Sequence, residues 1–285
     1  MNERLLNLAI VQMPISPDAG ENVDFLAERL EALEDEVRRP DLVVGVEYGI
    51  APQKPEPVDG EIMRRLGELA AKHQVALLPG SMKMVAPGEE GFRNAAPFFG
   101  PDGSLLGVYD KMVPWDTALE AGTIPGDEYL MVELPGSGAR IGVLICFDAD
   151  FPEIARTLTL MGSEVLIQLS MDPDSIPPQY RDVKVARAIE NQAFYVYTCG
   201  AGDYGSMHLR GRSLVVGPEG DTVFEAGEAA TTSLITLELG RVANARRRGS
   251  WHQVAQLDAL RQNAPEQPFA GRELESPLFT EYWPE

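Results

Sequence analysis

Cys146 closes the apolar run IGVLIC and is followed by Phe147-Asp148 and then by Phe151-Pro152-Glu153, where a helix can begin. A thiol at such a strand-to-helix junction lies at a sheet edge, beside backbone N–H groups and the positive end of a helix. Both lower a thiol pKa and can hold a developing oxyanion. The opposing reading is a buried cysteine packing as a small hydrophobe. Cys199, in YVYTCGA with no helix after it, is read that way. A nucleophilic thiol needs a base, and no histidine is obviously placed to serve. Glu47 closes the apolar strand LVVGVE, where a carboxylate is costly unless it has a task or a partner. Lys111, in VYDKMVPW, lies near the end of another strand and is one of only five lysines among 24 basic residues. Singly, Glu47 also reads as a solvated strand-end acid and Lys111 as a snorkelling side chain. Together a thiol, a carboxylate and an ammonium stand at or near the C-terminal ends of three strands, where one sheet edge can join them.

The elements that must position these groups alternate. Leu6–Met13 reads as a buried strand and Asn22–Arg39 as an amphipathic helix carrying Leu26, Leu30 and Leu33 on one face. Leu42–Glu47 is a strand, Glu61–His73 a helix and Val75–Pro79 a strand. Asn94–Phe99 and Leu105–Met112 flank Gly100-Pro101-Asp102-Gly103, and Tyr129–Leu134 and Arg140–Cys146 flank Pro135-Gly136-Ser137-Gly138. Both pairs predict hairpins. Pro152–Met161 and Gln179–Asn191 read as helices, with Val165–Leu169 and Ala193–Cys199 as strands. Gly211–Gly217, Thr222–Glu225 and Ser233–Leu237 read as three further strands. The pattern predicts an α/β fold with two mixed sheets and helices on their outer faces. Residues 1–250 are expected to form one domain, with 251–285 a tail packing on that domain or on a neighbouring subunit.

Composition narrows the function. The 285 residues carry 44 acidic against 24 basic side chains, a net charge of −20, with 44% hydrophobic residues. That is enough apolar material for a sizeable core, and its charge repels phosphate backbones and anionic membranes. Nucleic acid and membrane are therefore not expected partners. Two cysteines cannot build a disulfide framework, and His73, His208 and His252 lack metal-ligand spacing, so no metal is expected. The start, MNERLLNLAIVQMP, has a short apolar run broken by Asn7 and Gln12 and no small-residue cleavage site, so a first strand is expected rather than a signal peptide. No run approaches 18 apolar residues, and a cytoplasmic protein is the expectation.

The chain resembles the nitrilase superfamily of carbon–nitrogen hydrolases. The matching segments are LAIVQM, LVVGVEYGI, YDKMVPW, GVLICFDADFPE, RDVKVARAIENQAFYV and GRSLVVGPEGDTV, in the family's order from about residue 6 to 248. The resemblance implies two sheets packed as an α-β-β-α sandwich. It implies Glu47 as general base, Lys111 as electrostatic stabiliser and Cys146 as nucleophile. It also implies a second acid, Glu120, before Pro125-Gly126, orienting Lys111 and the substrate nitrogen. The oxyanion would meet the Lys111 ammonium and the Phe147 backbone N–H. No cofactor is implied.

Phe147-Asp148 after the cysteine, Pro114-Trp115 after the lysine and the run from Asp148 to Glu153 look similar to aliphatic amidases, with Trp115 in the substrate site. Asp150 stands where acid-recognising relatives carry arginine, and a carboxylate cannot make that bidentate pair. This implies a neutral or cationic amide, although an acid at Asp150 also suits a helix N-cap or first turn. N-carbamoyl amides, nitriles, acyl transfer and a non-catalytic binding role remain alternatives. The resemblance further implies a homodimer or larger homo-oligomer built through Phe151–Met161 and Gln179–Asn191. Arg246-Arg247-Arg248 reads as a solvated or subunit-contact patch.

Overall fold

The computed structural model describes residues 4–115, 118–249 and 255–263. Along the chain run β1 (Leu5–Gln12), α1 (Ala19–Leu33), β2 (Leu42–Val46), β3 (Glu56–Pro57), α2 (Glu61–His73), β4 (Ala76–Gly80), β5 (Met82–Val85), β6 (Arg93–Phe99) and β7 (Leu105–Asp110). Next come β8 (Met131–Glu133), β9 (Arg140–Ile145), α3 (Pro152–Met161), β10 (Val165–Ser170), α4 (Arg181–Asn191), β11 (Phe194–Cys199), β12 (Ala201–Tyr204) and β13 (Met207–Arg210). β14 (Leu214–Val216), β15 (Thr222–Glu225), β16 (Thr231–Glu238), α5 (Gly240–Arg248) and α6 (Gln256–Asn263) complete the described order.

One sheet has the order β16-β1-β2-β4-β6-β5-β3, with β7 also paired to β6; the other runs β15-β14-β11-β10-β9-β8. β1, β2 and β4 are parallel neighbours, as are β9, β10 and β11. The parallel strands are mostly buried on both faces, and their sequences are correspondingly mostly apolar. Leu8 and Ile10 of β1, Leu42 and Val44 of β2, Val143 and Ile145 of β9 and Ile167 of β10 meet in the core between the sheets. Alternate residues face outward: Ala9, Val11 and Val43 pack with Val23, Leu26 and Leu30 of α1 and with Leu66 and Ala70 of α2. On the far side Leu144, Leu166 and Tyr195 pack with Ile154 and Leu158 of α3 and Ala188 of α4. The result is the α-β-β-α sandwich implied by the resemblance. Among the described residues no helix is long and apolar enough to cross a membrane.

Several boundaries differ from the sequence reading. α1 begins three residues earlier, because the Asp18 carboxylate caps it by accepting from the Glu21 N–H at 3.0 Å. It ends at Leu33 rather than Arg39: Glu34, Asp35 and Glu36 would bring negative charge to the negative helix end. β3, β5, β12 and β13 were not expected. α5 covers the arginine cluster, and Arg246 donates to the Ser163 carbonyl within the chain, so that residue is not simply solvated. Of the expected tail, 255–263 includes α6; 251–254 and 264–285 lie outside the described residues.

Candidate active site

Strand ends from both sheets meet here, rather than the single sheet edge expected from the sequence. Glu47 follows β2, Lys111 follows β7, Cys146 follows β9 and Asp172 lies two residues beyond β10. At Glu47 the chain turns at once: Tyr48 has φ +53° and its N–H donates to Ser81 Oγ at 2.8 Å. Cys146 also takes the left-handed conformation, φ +46°, opening a 3-10 turn over Cys146–Asp150. A side chain held there costs of order 1–3 kcal/mol, so the surroundings must fix it. Asp148 does much of this. Its buried carboxylate accepts from Ile145 N at 3.1 Å, Val113 N at 2.8 Å and Tyr109 OH at 2.8 Å, tying the cysteine turn to the segment after Lys111. Burial pushes Asp148 up to about 6 in spite of these donors. Gln168 Nε2 donates to the Cys146 carbonyl at 3.1 Å.

The structure brings Glu47, Lys111, Glu120 and Cys146 into the wall of one cavity of about 460 Å³. The Lys111 ammonium is clamped between carboxylates: 2.9 Å from Glu47 Oε1 and 2.9 and 2.8 Å from the two oxygens of Glu120. Asn94 Nδ2 bridges the same acids, 3.0 Å from Glu47 and 2.8 Å from Glu120. Tyr48 OH and Trp115 N–H also donate to Glu120, at 3.3 and 2.5 Å. Glu47, Lys111 and Glu120 are buried, and Cys146 is half-buried.

The electrostatics follow from this burial. Loss of solvent, with the charge of Glu120, pushes the Glu47 carboxyl up to about 7 even though Lys111 opposes the shift. Burial works against the Lys111 charge, but Glu47, Cys146 and Glu120 together outweigh it and hold its pKa above the ordinary lysine range. The Cys146 thiol lies well above its ordinary value, first through burial and then through Glu47. This corrects the expectation that the helix end would lower it. At rest the thiol therefore keeps its proton, beside a carboxylate of neutral-range affinity.

Of the expected substrate contacts, Trp115 lines the cavity. Phe147 stands directly after the nucleophile candidate and packs its ring edge-on against Phe151 at 5.3 Å. Asp150 is not in the cavity wall. Its carboxylate accepts from the Tyr180 hydroxyl, and its carbonyl accepts from Arg187 at 3.2 Å. Nor does it cap α3, whose N-cap is Phe151. Cys199 is fully buried and pushed up to about 12 by its surroundings, as a core residue should be. Sequence reasoning missed Asn94, Tyr48 and Asp172. Asp172 carried the same signal as Glu47, an acid just past the end of an apolar strand. Among the described residues no group of three or more His, Cys, Asp or Glu side chains is arranged to hold a metal ion.

The profile of the carbon–nitrogen hydrolase family matches residues 7–247, and the chain belongs to that family. An (R)-stereoselective amidase of Pseudomonas sp. is 34% identical over 197 residues, 68% of this chain and 69% of that protein. Nit3 of Saccharomyces cerevisiae, a member of branch 10 of the nitrilase superfamily, superposes with a TM-score of 0.78 at 25% identity, over 86% of this chain and 94% of that one. A variant amidase of Nesterenkonia sp. AN1, carrying the acetamide moiety of fluoroacetamide on its active-site cysteine, shares the fold: TM-score 0.72, 22% identity, 86% and 94% coverage. The chain is thus a carbon–nitrogen hydrolase whose relatives include amidases.

Proposed function

We propose that this protein hydrolyses a small carboxamide to the acid and ammonia through a thioester on Cys146. The observation that carries the reading is the Lys111 ammonium, anchored by Glu47 and Glu120 in the same 460 Å³ cavity as the Cys146 thiol. Glu47 takes the thiol proton, and the thiolate forms a bond to the amide carbon. The oxyanion develops against the Lys111 ammonium and the Phe147 N–H. Glu47 returns the proton to the nitrogen, the C–N bond breaks and ammonia leaves. A water then gives its proton to Glu47 and attacks the thioester, releasing the acid and regenerating the thiol. Lysine suits this role because it stays charged throughout. Glu120 acts as a positioning residue for Lys111.

A neutral or cationic amide is the favoured substrate class. That preference no longer leans on Asp150; it draws support from the Asp172 carboxylate, which lines the cavity. We further infer a cytoplasmic homo-oligomer, consistent with the exposed Leu160 and Met161 of α3, 63% and 45% accessible. Ammonia release from a panel of amides, carbamoyl amides and nitriles tests the reaction. Release from simple amides is expected; a clear preference for substrates bearing a free carboxylate, or for nitriles alone, overturns the substrate class.

A further inference from the structure

The proposed reaction leaves one buried ionic group beside the nucleophile unused. Asp172 Oδ1 lies 3.6 Å from Cys146 Sγ, within reach of a thiol hydrogen bond. Its second oxygen accepts from Tyr197 OH at 2.8 Å and lies 4.0 Å from Lys184 Nζ. Lys184, on α4, is itself buried; its ammonium sits 3.4 Å from the centroid of the Tyr180 ring and 4.6 Å from that of Tyr197. A buried carboxylate, tyrosine and lysine in contact are held by one another, because removing any one leaves an uncompensated charge or donor. This chain of contacts ends on the sulfur.

We propose that Asp172 is a positioning residue for Cys146: fixed by Tyr197 and Lys184, its carboxylate gives the thiol a second acceptor beside Glu47, holds Sγ at the cavity wall and sets how readily it ionises. The inference rests on the reading of Cys146 as nucleophile. Sγ feels Glu47 and Lys111 from the first sheet and Asp172 from beyond β10. Lys184 in turn feels Asp172, Cys146, Arg210 and Cys199, and Asp150 lies close enough to sense its charge. The Asp172 charge opposes thiolate formation, while a charged Lys184 favours it. Burial lowers Lys184 to about 8, so that support is present near neutrality and lost above it.

The test is the rate at which Cys146 reacts with a dipyridyl disulfide across pH, with the Cys146→Ala protein as the blank for Cys199. This readout needs no amide turnover, so a silent amide panel strikes the proposed function and leaves this result standing on its own. For Asp172→Asn the thiol pKa should fall by about one unit. That gives about tenfold more thiolate, offset about threefold by its weaker nucleophilicity, for a net gain of about threefold at neutral pH. Lys184→Met should react more slowly than wild type near neutrality and converge with it above about pH 8, where the wild-type lysine has lost its charge. Asp172→Asn reacting no faster than wild type while retaining a native circular dichroism spectrum would overturn the proposal. If Asp172→Asn does not fold, Lys184→Met decides: the same profile as wild type at every pH overturns it, and slower reaction confined to the neutral range supports it.

Discussion

Glu120→Gln removes one charge from the cluster at the heart of the site with little change of shape. Glu120 holds Lys111 with two oxygens at 2.8 and 2.9 Å, and it also accepts from Asn94, Tyr48 and the Trp115 N–H. Breaking a buried ion pair by removing one partner costs about 3–5 kcal/mol. Lys111 keeps Glu47 at 2.9 Å, so the low end, about 3 kcal/mol, applies. With an unfolding entropy of about 2.1 cal/mol/K per residue, 285 residues give about 0.6 kcal/mol/K, and the expected drop in Tm is about 5 °C. A second consequence follows from charge. Glu47 must be ionised to accept the thiol proton, so amide kcat/KM should fall as pH drops through about 7. Glu120 is one of the charges that raise Glu47, so in the variant this acid limb moves to lower pH, while the maximal rate falls because Lys111 loses one of its two carboxylate anchors. Thermal unfolding and a pH–rate profile read the two effects. A Tm within about 1 °C of wild type together with an unmoved limb would refute the reasoning.

Two further substitutions probe how the site is held. Gly45→Ala places a Cβ only 1.9 Å from the Pro79 carbonyl oxygen, two residues before Glu47. β2 must shift against β4, so both stability and amide turnover should fall; unfolding midpoint and kcat/KM check this, and a wild-type-like protein would contradict it. Lys111→Arg keeps the charge but puts a larger planar group into a 1% exposed position between two carboxylates. A loss of about 10²–10³ in kcat is expected from the misplaced oxyanion donor, and single-substrate kinetics measure it.

That Glu47, Lys111 and Cys146 share one cavity was legible because each stands at or just past the end of a strand, a place where a charged or thiol group must find a partner. Packing of the two sheets gathers those ends: β2 and β7 lie in one sheet, β7 joined through antiparallel β6, and β9 lies in the other. Glu120 was legible only through the family's ordering, since as a loop acid among Leu119 and Ala121 its spacing carries little physical information. Asp172 lies beyond the expected strand Val165–Leu169, in MDPDSIPP, whose short polar residues and prolines carry no periodic signal. Its contacts with Cys146, Tyr197 and Lys184 depend on β10, β11 and α4 packing together, which no local pattern encodes. The β12–β13 hairpin escaped because Gly200, Gly202 and Gly205 hide its alternation. Asp150 misled for the opposite reason. It stands close to Cys146 in sequence, yet its side chain turns away to Tyr180.

The central claim, that Cys146 carries the acyl group between two half-reactions, is tested most directly by intact-protein mass spectrometry within one turnover of mixing with a small amide. The wild-type protein should gain the mass of one acyl group, localised to the peptide containing Cys146, and the Cys146→Ala protein should gain nothing and release no ammonia. An adduct on any other residue, or full turnover by the Cys146→Ala protein, would contradict it.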